Sequence, residues 1–278
     1  MIGFERDTDS VVIDYGKGML ADFERWIVKS RSSDDPPDIG PEEQAYALMA
    51  RSAGVRMADT HLFRTRKGNR LFATRRFDRT SDGRLHTQTA SRLLNASHRT
   101  ASVNYETWHK LVFLMTRDSE DVLQMFRRMV FNIYARNRDD HAKNHALLMD
   151  AAGAWRLSPA YDLTFSLGLG GEHSADVAGE GRVPDISHML RVAAFALIKP
   201  SVAKISLMRS AVRSPVGRHL PTKLVCRRCA DLNWIVFLTA ANVVSGHGAP
   251  RTNVYSSWVG SSDPLSGDRV LQNGVVRG

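Results

Sequence analysis

Between residues 118 and 157 the chain strings together an amphipathic segment, a ten-residue polar motif and two short apolar runs joined by a glycine turn, and this order restricts the fold more than any other feature. Leu123, Phe126, Val130, Ile133 and Tyr134 recur at helical spacing, while Asp118, Glu120 and Asp121 suit the positive end of a helix. A helix is therefore expected over 118–134. It delivers RNRDDHAKNH, residues 136–145, with two adjacent aspartates, two histidines, a lysine and two asparagines. Ala146-Leu147-Leu148-Met149 and Trp155-Arg156-Leu157 then flank Asp150-Ala-Ala-Gly153, the pattern of a β-hairpin that turns at a glycine. Asp162 follows just past the second run.

Upstream, Trp26-Ile27-Val28-Lys29 reads as a strand ended by the loop SRSSDDPP, residues 30–37. Pro41-Glu42-Glu43 opens an amphipathic helix with Ala45, Leu48 and Met49 on one face and Gly54 as its stop. A short strand at His61 to Phe63, a turn at Lys67-Gly68-Asn69 and a strand through Leu71-Phe72-Ala73 complete a small α/β lobe. After Arg79 the pattern turns helical. Three regions result: a partial N-lobe over 1–80, a mainly helical C-lobe over 81–198, and a basic tail over 199–278, irregular except around Asp231 to Val244.

Charge decides little about function. The formal net charge is +9, but residues 199–278 hold 11 Lys and Arg against 3 Asp, which leaves only +1 for the rest. Direct DNA binding would rest on that tail alone, which lacks interleaved aromatics, so a solvated segment is the plainer reading. The longest apolar stretches, such as Trp234 to Ala241, fall well short of the roughly 20 residues a spanning helix requires. With two cysteines, Cys226 and Cys229, and no leader-like N-terminus, a cytoplasmic protein without membrane contact is expected. The Cys226-Arg-Arg-Cys229 pair has no second half for a zinc site. His141 and His145 have no obvious third ligand either.

Asp139 and Asn144 are five apart, on a segment leaving a helix and entering a hairpin, and Asp162 follows. Protein kinases use that order: an Asp accepts the hydroxyl proton, an Asn five residues on binds magnesium, and a later Asp binds it too. Lys29 on an N-lobe strand and Glu43 on the next helix occupy the places of the phosphate-binding lysine and its partner. Four stretches, WIVKS with EEQAYALMARSAGV, RRFDR, NRDDHAKNHALLMD and WRLSPAYDLTFS, resemble the HipA family of serine/threonine kinase toxins from bacterial toxin–antitoxin pairs. The loop GLGGEHSADVAGEGR at 168–182 is similar to the family's as well, and the likeness runs from about Phe23 to Ile198.

The resemblance implies an α+β, two-lobed, protein-kinase-like fold. It makes Asp139 the catalytic aspartate and Asn144 and Asp162 the Mg2+ ligands. Lys29 would hold ATP phosphates and pair with Glu43, although Glu42 competes for that place. Arg75, Arg76 and Phe77 would form the hinge beside adenine, with His141 and Lys143 near the phosphates. It further implies a helix-turn-helix antitoxin of the HipB type as partner, DNA contact only through that antitoxin, and a substrate in the translation machinery such as an aminoacyl-tRNA synthetase. Set against the family, the chain is short before Lys29 and atypical beyond 199. Gly16-Lys17-Gly18 is the only counterpart of a glycine-rich phosphate loop, and a lone pair of glycines reads more readily as the turn of a β-hairpin. An impaired HipA-like chain that binds antitoxin or nucleotide without turnover is the alternative expectation.

Overall fold

The computed structural model describes residues 2–5, 10–13, 23–33, 35–81, 83–95 and 103–212. Gly16-Lys17-Gly18, the two cysteines and the tail beyond Val212 lie outside the described residues.

The N-lobe is a five-stranded antiparallel sheet of order β2-β1-β3-β5-β4, built from β1 (Ile2–Glu5), β2 (Ser10–Ile13), β3 (Glu24–Val28), β4 (Thr60–Arg64) and β5 (Arg70–Arg75). Alternation along β3 decides what each face does: Trp26 is buried against Phe4, ring centroids 5.7 Å apart, while Ile27 is turned to the opposite face. Phe4 also meets Phe63 edge to face at 4.9 Å, which closes a small aromatic core around Ala73. Lys29 sits one residue past β3 and still pairs with β5, its backbone N–H donating to the Phe72 carbonyl at 2.9 Å.

Helix α1 (Ile39–Ser52) connects β3 to β4, two residues earlier at its start than Pro41. Pro41 falls in the first turn, where a missing N–H costs nothing. Gly40 is required by contact: a Cβ there would stand 2.4 Å from the Arg70 carbonyl oxygen, so glycine alone lets α1 approach β5 this closely. The inner face of α1, Tyr46, Met49, Ala50 and Ala53, packs on Phe131, Ala135, Ala160 and Leu163, so the two lobes share a core. Burying Tyr46 and Met49 contributes roughly 1.5–3 kcal/mol each.

The C-lobe centres on α3 (Tyr105–Thr116) and α4 (Ser119–Tyr134), with Trp108, Met125, Phe126 and Met129 fully buried between them. Asp118 caps α4, its carboxylate accepting from the Glu120 N–H at 2.8 Å. At the far end of α4 come the polar loop and the hairpin of β9 (Ala146–Met149) and β10 (Trp155–Leu157), turning at Gly153 with φ of 81°.

Two expectations are corrected. Residues 79–89, read as the start of helical chain, instead form β6 (Arg79–Thr80), β7 (Gly83–Arg84) and β8 (His86–Thr89), before the single turn α2 (Ala90–Leu93). β8 pairs antiparallel with β9, so β9 is the middle of three strands and its Leu147 and Leu148 are both buried. Beyond α5 (Ile186–Phe195), residues expected to be irregular form α6 (Pro200–Val212), which docks Ala203 and Leu207 in the core. Its buried stripe includes the polar Ser206 and Ser210, which blurs the apolar period that sequence reading depends on. No helix among the described residues is long and apolar enough to cross a membrane.

Candidate active site

The seam between the lobes holds two adjoining cavities of opposite character. One, about 450 Å³, lies under the sheet and has mainly apolar walls that include Ile27, Ala47, Phe72 and Leu163. Arg75, Arg76 and Phe77 line its edge, and Phe77 faces the Tyr161 ring at 5.7 Å. The other, about 930 Å³, is polar and is lined by Asn137, Asp139, Asn144 and Ser166 from below and by Ser30, Arg31 and Arg70 from above. Lys29, Glu43 and Asp162 belong to both.

Thr164 also lines both, and the other three, Lys29, Glu43 and Asp162, form one charge cluster. Lys29 Nζ donates to Glu43 Oε1 at 2.7 Å and pairs also with the Asp162 carboxylate. Burial works against the Lys29 ammonium, but the two carboxylates outweigh it and its pKa is raised. Burial pushes the Glu43 carboxyl up, with Lys29 opposing and Asp162 assisting. Glu42 is buried on α1 but lines neither cavity, so geometry picks Glu43 from the two sequence candidates. Asp162 has a left-handed backbone, φ 56°, which Asp tolerates better than most residues. That conformation is held where the chain leaves β10, and the side chain stays about half exposed to the cleft.

Across the polar cavity, Asn144 Nδ2 donates to the Asp139 carbonyl at 2.9 Å, which closes the turn Ala142–Asn144 and leaves the amide oxygen as an acceptor. Asp139 projects its carboxylate 58% exposed, 3.7 Å from His141 Nε2. Partial burial raises its pKa, the Asp140 and Asp162 charges add to that, and His141 opposes it. His141 and Lys143 line neither cavity. Lys143 is exposed and enters the site only through its carbonyl, which accepts from the Tyr161 hydroxyl at 2.7 Å.

A buried polar chain beneath the loop, absent from the sequence reading, fixes its shape. Asp140 Oδ2 accepts from the Tyr105 hydroxyl at 2.7 Å and lies 2.9 Å from His173 Nδ1, while Oδ1 accepts from the Ser174 N–H at 2.8 Å. Asn132 donates to the Tyr105 oxygen at 3.0 Å, and Asn137 donates to Asn132 at 3.1 Å. Burial first, and then the Asp140 charge, hold the Tyr105 hydroxyl well above its ordinary pKa, so it stays a donor. The adjacent aspartates thus divide their work: Asp140 faces the core and Asp139 the cleft. The only sequence signal for this was the 168–182 loop, which carries His173 and Ser174.

Among the described residues no three His, Cys, Asp or Glu side chains gather as a metal cage. Asn144 and Asp162 nevertheless fit magnesium, a hard cation that takes one or two protein oxygens and completes its shell with phosphates and water.

A curled antiparallel sheet over a helical lobe, with a lysine–glutamate pair and two acidic groups in the seam, defines a protein-kinase-like fold. A family model described as the HipA-like C-terminal domain matches residues 10–216, and the chain belongs to that family. Over 93 residues, 33% of this chain, it is 33% identical to a Sinorhizobium fredii protein named "Putative kinase Y4dM". Among solved structures it is similar to HipA of Shewanella oneidensis MR-1, seen in complex with HipB and operator DNA, with a TM-score of 0.59 and 18% identity over 78% of this chain. The proinflammatory kinase CtkA of Helicobacter pylori matches at a TM-score of 0.49 and 13% identity, over 80% of this chain and 92% of that one. The matched stretches span 22% of the S. fredii protein and 57% of the Shewanella chain.

Proposed function

We propose that this chain is a HipA-like serine/threonine protein kinase, the toxin of a type II toxin–antitoxin pair, acting in the cytoplasm. The observation that carries the reading is the Lys29, Glu43 and Asp162 cluster at the junction of an apolar cavity and a polar one, with Asp139 and Asn144 on the facing wall. ATP fits that division: adenine in the apolar cavity beside Arg75 to Phe77, phosphates in the polar one. Lys29, positioned by Glu43, would hold the α- and β-phosphates. Asn144 and Asp162 would hold magnesium, which supplies neutralisation of the charge on the transferring phosphoryl group. Asp139 would align the acceptor hydroxyl and take its proton, and its raised pKa suits a base. Catalysis by such a site is mostly positioning and electrostatics. The acceptor would be a serine or threonine of a translation component, for example an aminoacyl-tRNA synthetase, and the outcome growth arrest. A helix-turn-helix antitoxin of the HipB type would neutralise the toxin and carry it to DNA.

The deciding experiment measures magnesium-dependent ATP binding and autophosphorylation of the purified chain beside Asp139→Ala and Asp162→Ala. Binding with phosphate incorporation lost in both variants supports the kinase. Binding without incorporation by the unaltered chain supports the non-catalytic alternative, and a folded chain that binds no ATP removes both nucleotide readings.

A further inference from the structure

The polar cavity of the cleft, about 930 Å³ against about 450 Å³ for its apolar neighbour, holds positive charge that the roles given so far leave unused. Three cations line it: Lys29, Arg31 and Arg70. Lys29 is engaged by Glu43 and Asp162. Arg31 is exposed and has no hydrogen bond or ion pair among the described residues. Arg70 has one partner, Asp38, at 3.6 Å in a largely exposed pair, an arrangement worth little in water. Carboxylates share the cavity, but none of them pairs with Arg31. Glu43 and Asp162 face Lys29, Asp139 stands on the opposite wall, and Asp35 accepts from the Ser32 N–H at 2.8 Å.

Strand pairing explains where the two arginines stand. β3 runs antiparallel to β5 with Val28 opposite Ala73, and the bond from the Lys29 N–H to the Phe72 carbonyl carries the pairing one residue further. The chain beyond Lys29 therefore leads toward the start of β5, which is Arg70. Arg31 follows Lys29 by two residues, about 7 Å in extended chain, a spacing at which side chains share a face. Lys29 lines both cavities, whereas Arg31 and Arg70 line the polar one alone. Positive charge thus continues past Lys29 in the direction away from the apolar cavity.

We infer that Arg31 and Arg70 hold the terminal phosphate of the bound nucleotide and give the cleft its preference for a triphosphate over a diphosphate. This rests on the nucleotide reading of the cleft. With adenine in the apolar cavity and the α- and β-phosphates at Lys29, the third phosphate lies beyond Lys29 on the polar side. There the unpaired Arg31 guanidinium offers it a fork of two donors, and Arg70 adds a second charge.

Calorimetry on the full chain with Mg2+ compares ADP with the β,γ-imido analogue of ATP, which keeps the third phosphate and is not hydrolysed. The unaltered chain should bind the analogue at least about tenfold more tightly than ADP, the worth of a charge-assisted hydrogen bond. Arg31→Ala should cut that ratio about tenfold and leave ADP affinity within about twofold, while Arg70→Ala should lower the ratio less. Arg31→Lys, which keeps the charge but not the fork, should fall between the unaltered chain and Arg31→Ala. Equal affinities in the unaltered chain, or an Arg31→Ala variant that weakens ADP as much as the analogue, would overturn the inference and leave the nucleotide site standing. A ratio unchanged in either alanine variant would also overturn it, and would leave the arginines to an acidic stretch of the acceptor protein. A folded chain that binds neither nucleotide removes the nucleotide reading, and this inference with it.

Discussion

Two residues in sequence, Asp139 and Asp140, carry the same side chain and are placed in opposite environments. Asp139 is the exposed one, yet its pKa is raised: partial burial contributes most, Asp140 and Asp162 repel its charge, and His141 pulls the other way. The sign of two changes follows. His141→Ala removes the charge that favours the carboxylate, so the Asp139 pKa should rise further, and carboxyl NMR titration reads this whether or not the protein turns over. A fall or no change would mean that His141 and Asp139 do not interact. Asp139→Asn should leave ATP affinity within a few fold while lowering phosphoryl transfer by about 10²–10⁴, the usual worth of a positioned base. Transfer at the unaltered rate would remove Asp139 from the role of base.

Asp140 acts at the scale of the element, tying the loop after α4 to α3 through Tyr105 and to the 168–182 segment through His173 and Ser174. Asp140→Ala would strand several buried donors at once, so unfolding in urea should show a loss of about 2–4 kcal/mol. A change under about 0.5 kcal/mol would mean that the network adds nothing to stability. Gly40 offers a second test, because two effects oppose each other there. Alanine favours helix by about 1 kcal/mol, but its Cβ would meet the Arg70 carbonyl oxygen at 2.4 Å, and backbone cannot swing aside. Gly40→Ala should therefore destabilise by about 1–3 kcal/mol, and a stabilised variant would contradict the close approach of α1 to β5. These cases also mark what sequence could reveal. The α4 helix, its polar loop and the β9–β10 hairpin were legible because their signals are local: a 3.6-residue period, a cap, a glycine turn. The Lys29, Glu43 and Asp162 grouping was reached only through the order of kinase motifs. β8 was missed because it is short and polar and finds its partner about 60 residues later, and the Asp140 network because its partners stand 33–35 residues away. Pattern reading sees what a segment buries but not which distant donor a buried carboxylate will meet.

For the molecule as a whole, α4 is the shared spine. One face carries the C-lobe core, and its polar residues reach to the N-lobe side: Asp121 pairs with Arg56 at 2.9 Å and accepts from the Leu157 N–H, while Gln124 accepts from the Arg56 N–H at 2.8 Å. Because α1 and α4 also share a core, loss of the C-lobe interior should unfold both lobes together, and that interior contains an acid-sensitive element. His109 and His145 are both fully buried, and burial is the first cause that lowers each pKa, to about 4 for His109. Below the ordinary histidine pKa of about 6.5 the unfolded chain takes up protons that the folded chain refuses, so stability declines as pH falls from about 6.5 toward 4. For His109 alone the full span is worth roughly 3 kcal/mol, a large share of the stability of a typical domain. Urea unfolding at pH 7 and pH 5 should therefore show a lower midpoint at the acid value, before ordinary carboxylates begin to protonate. His109→Asn, which keeps a polar side chain but cannot titrate, should flatten part of that dependence even if it lowers stability at pH 7. Equal pH slopes for the variant and the unaltered chain would mean that His109 is protonated as readily folded as unfolded, and that the C-lobe core is open to water at that position.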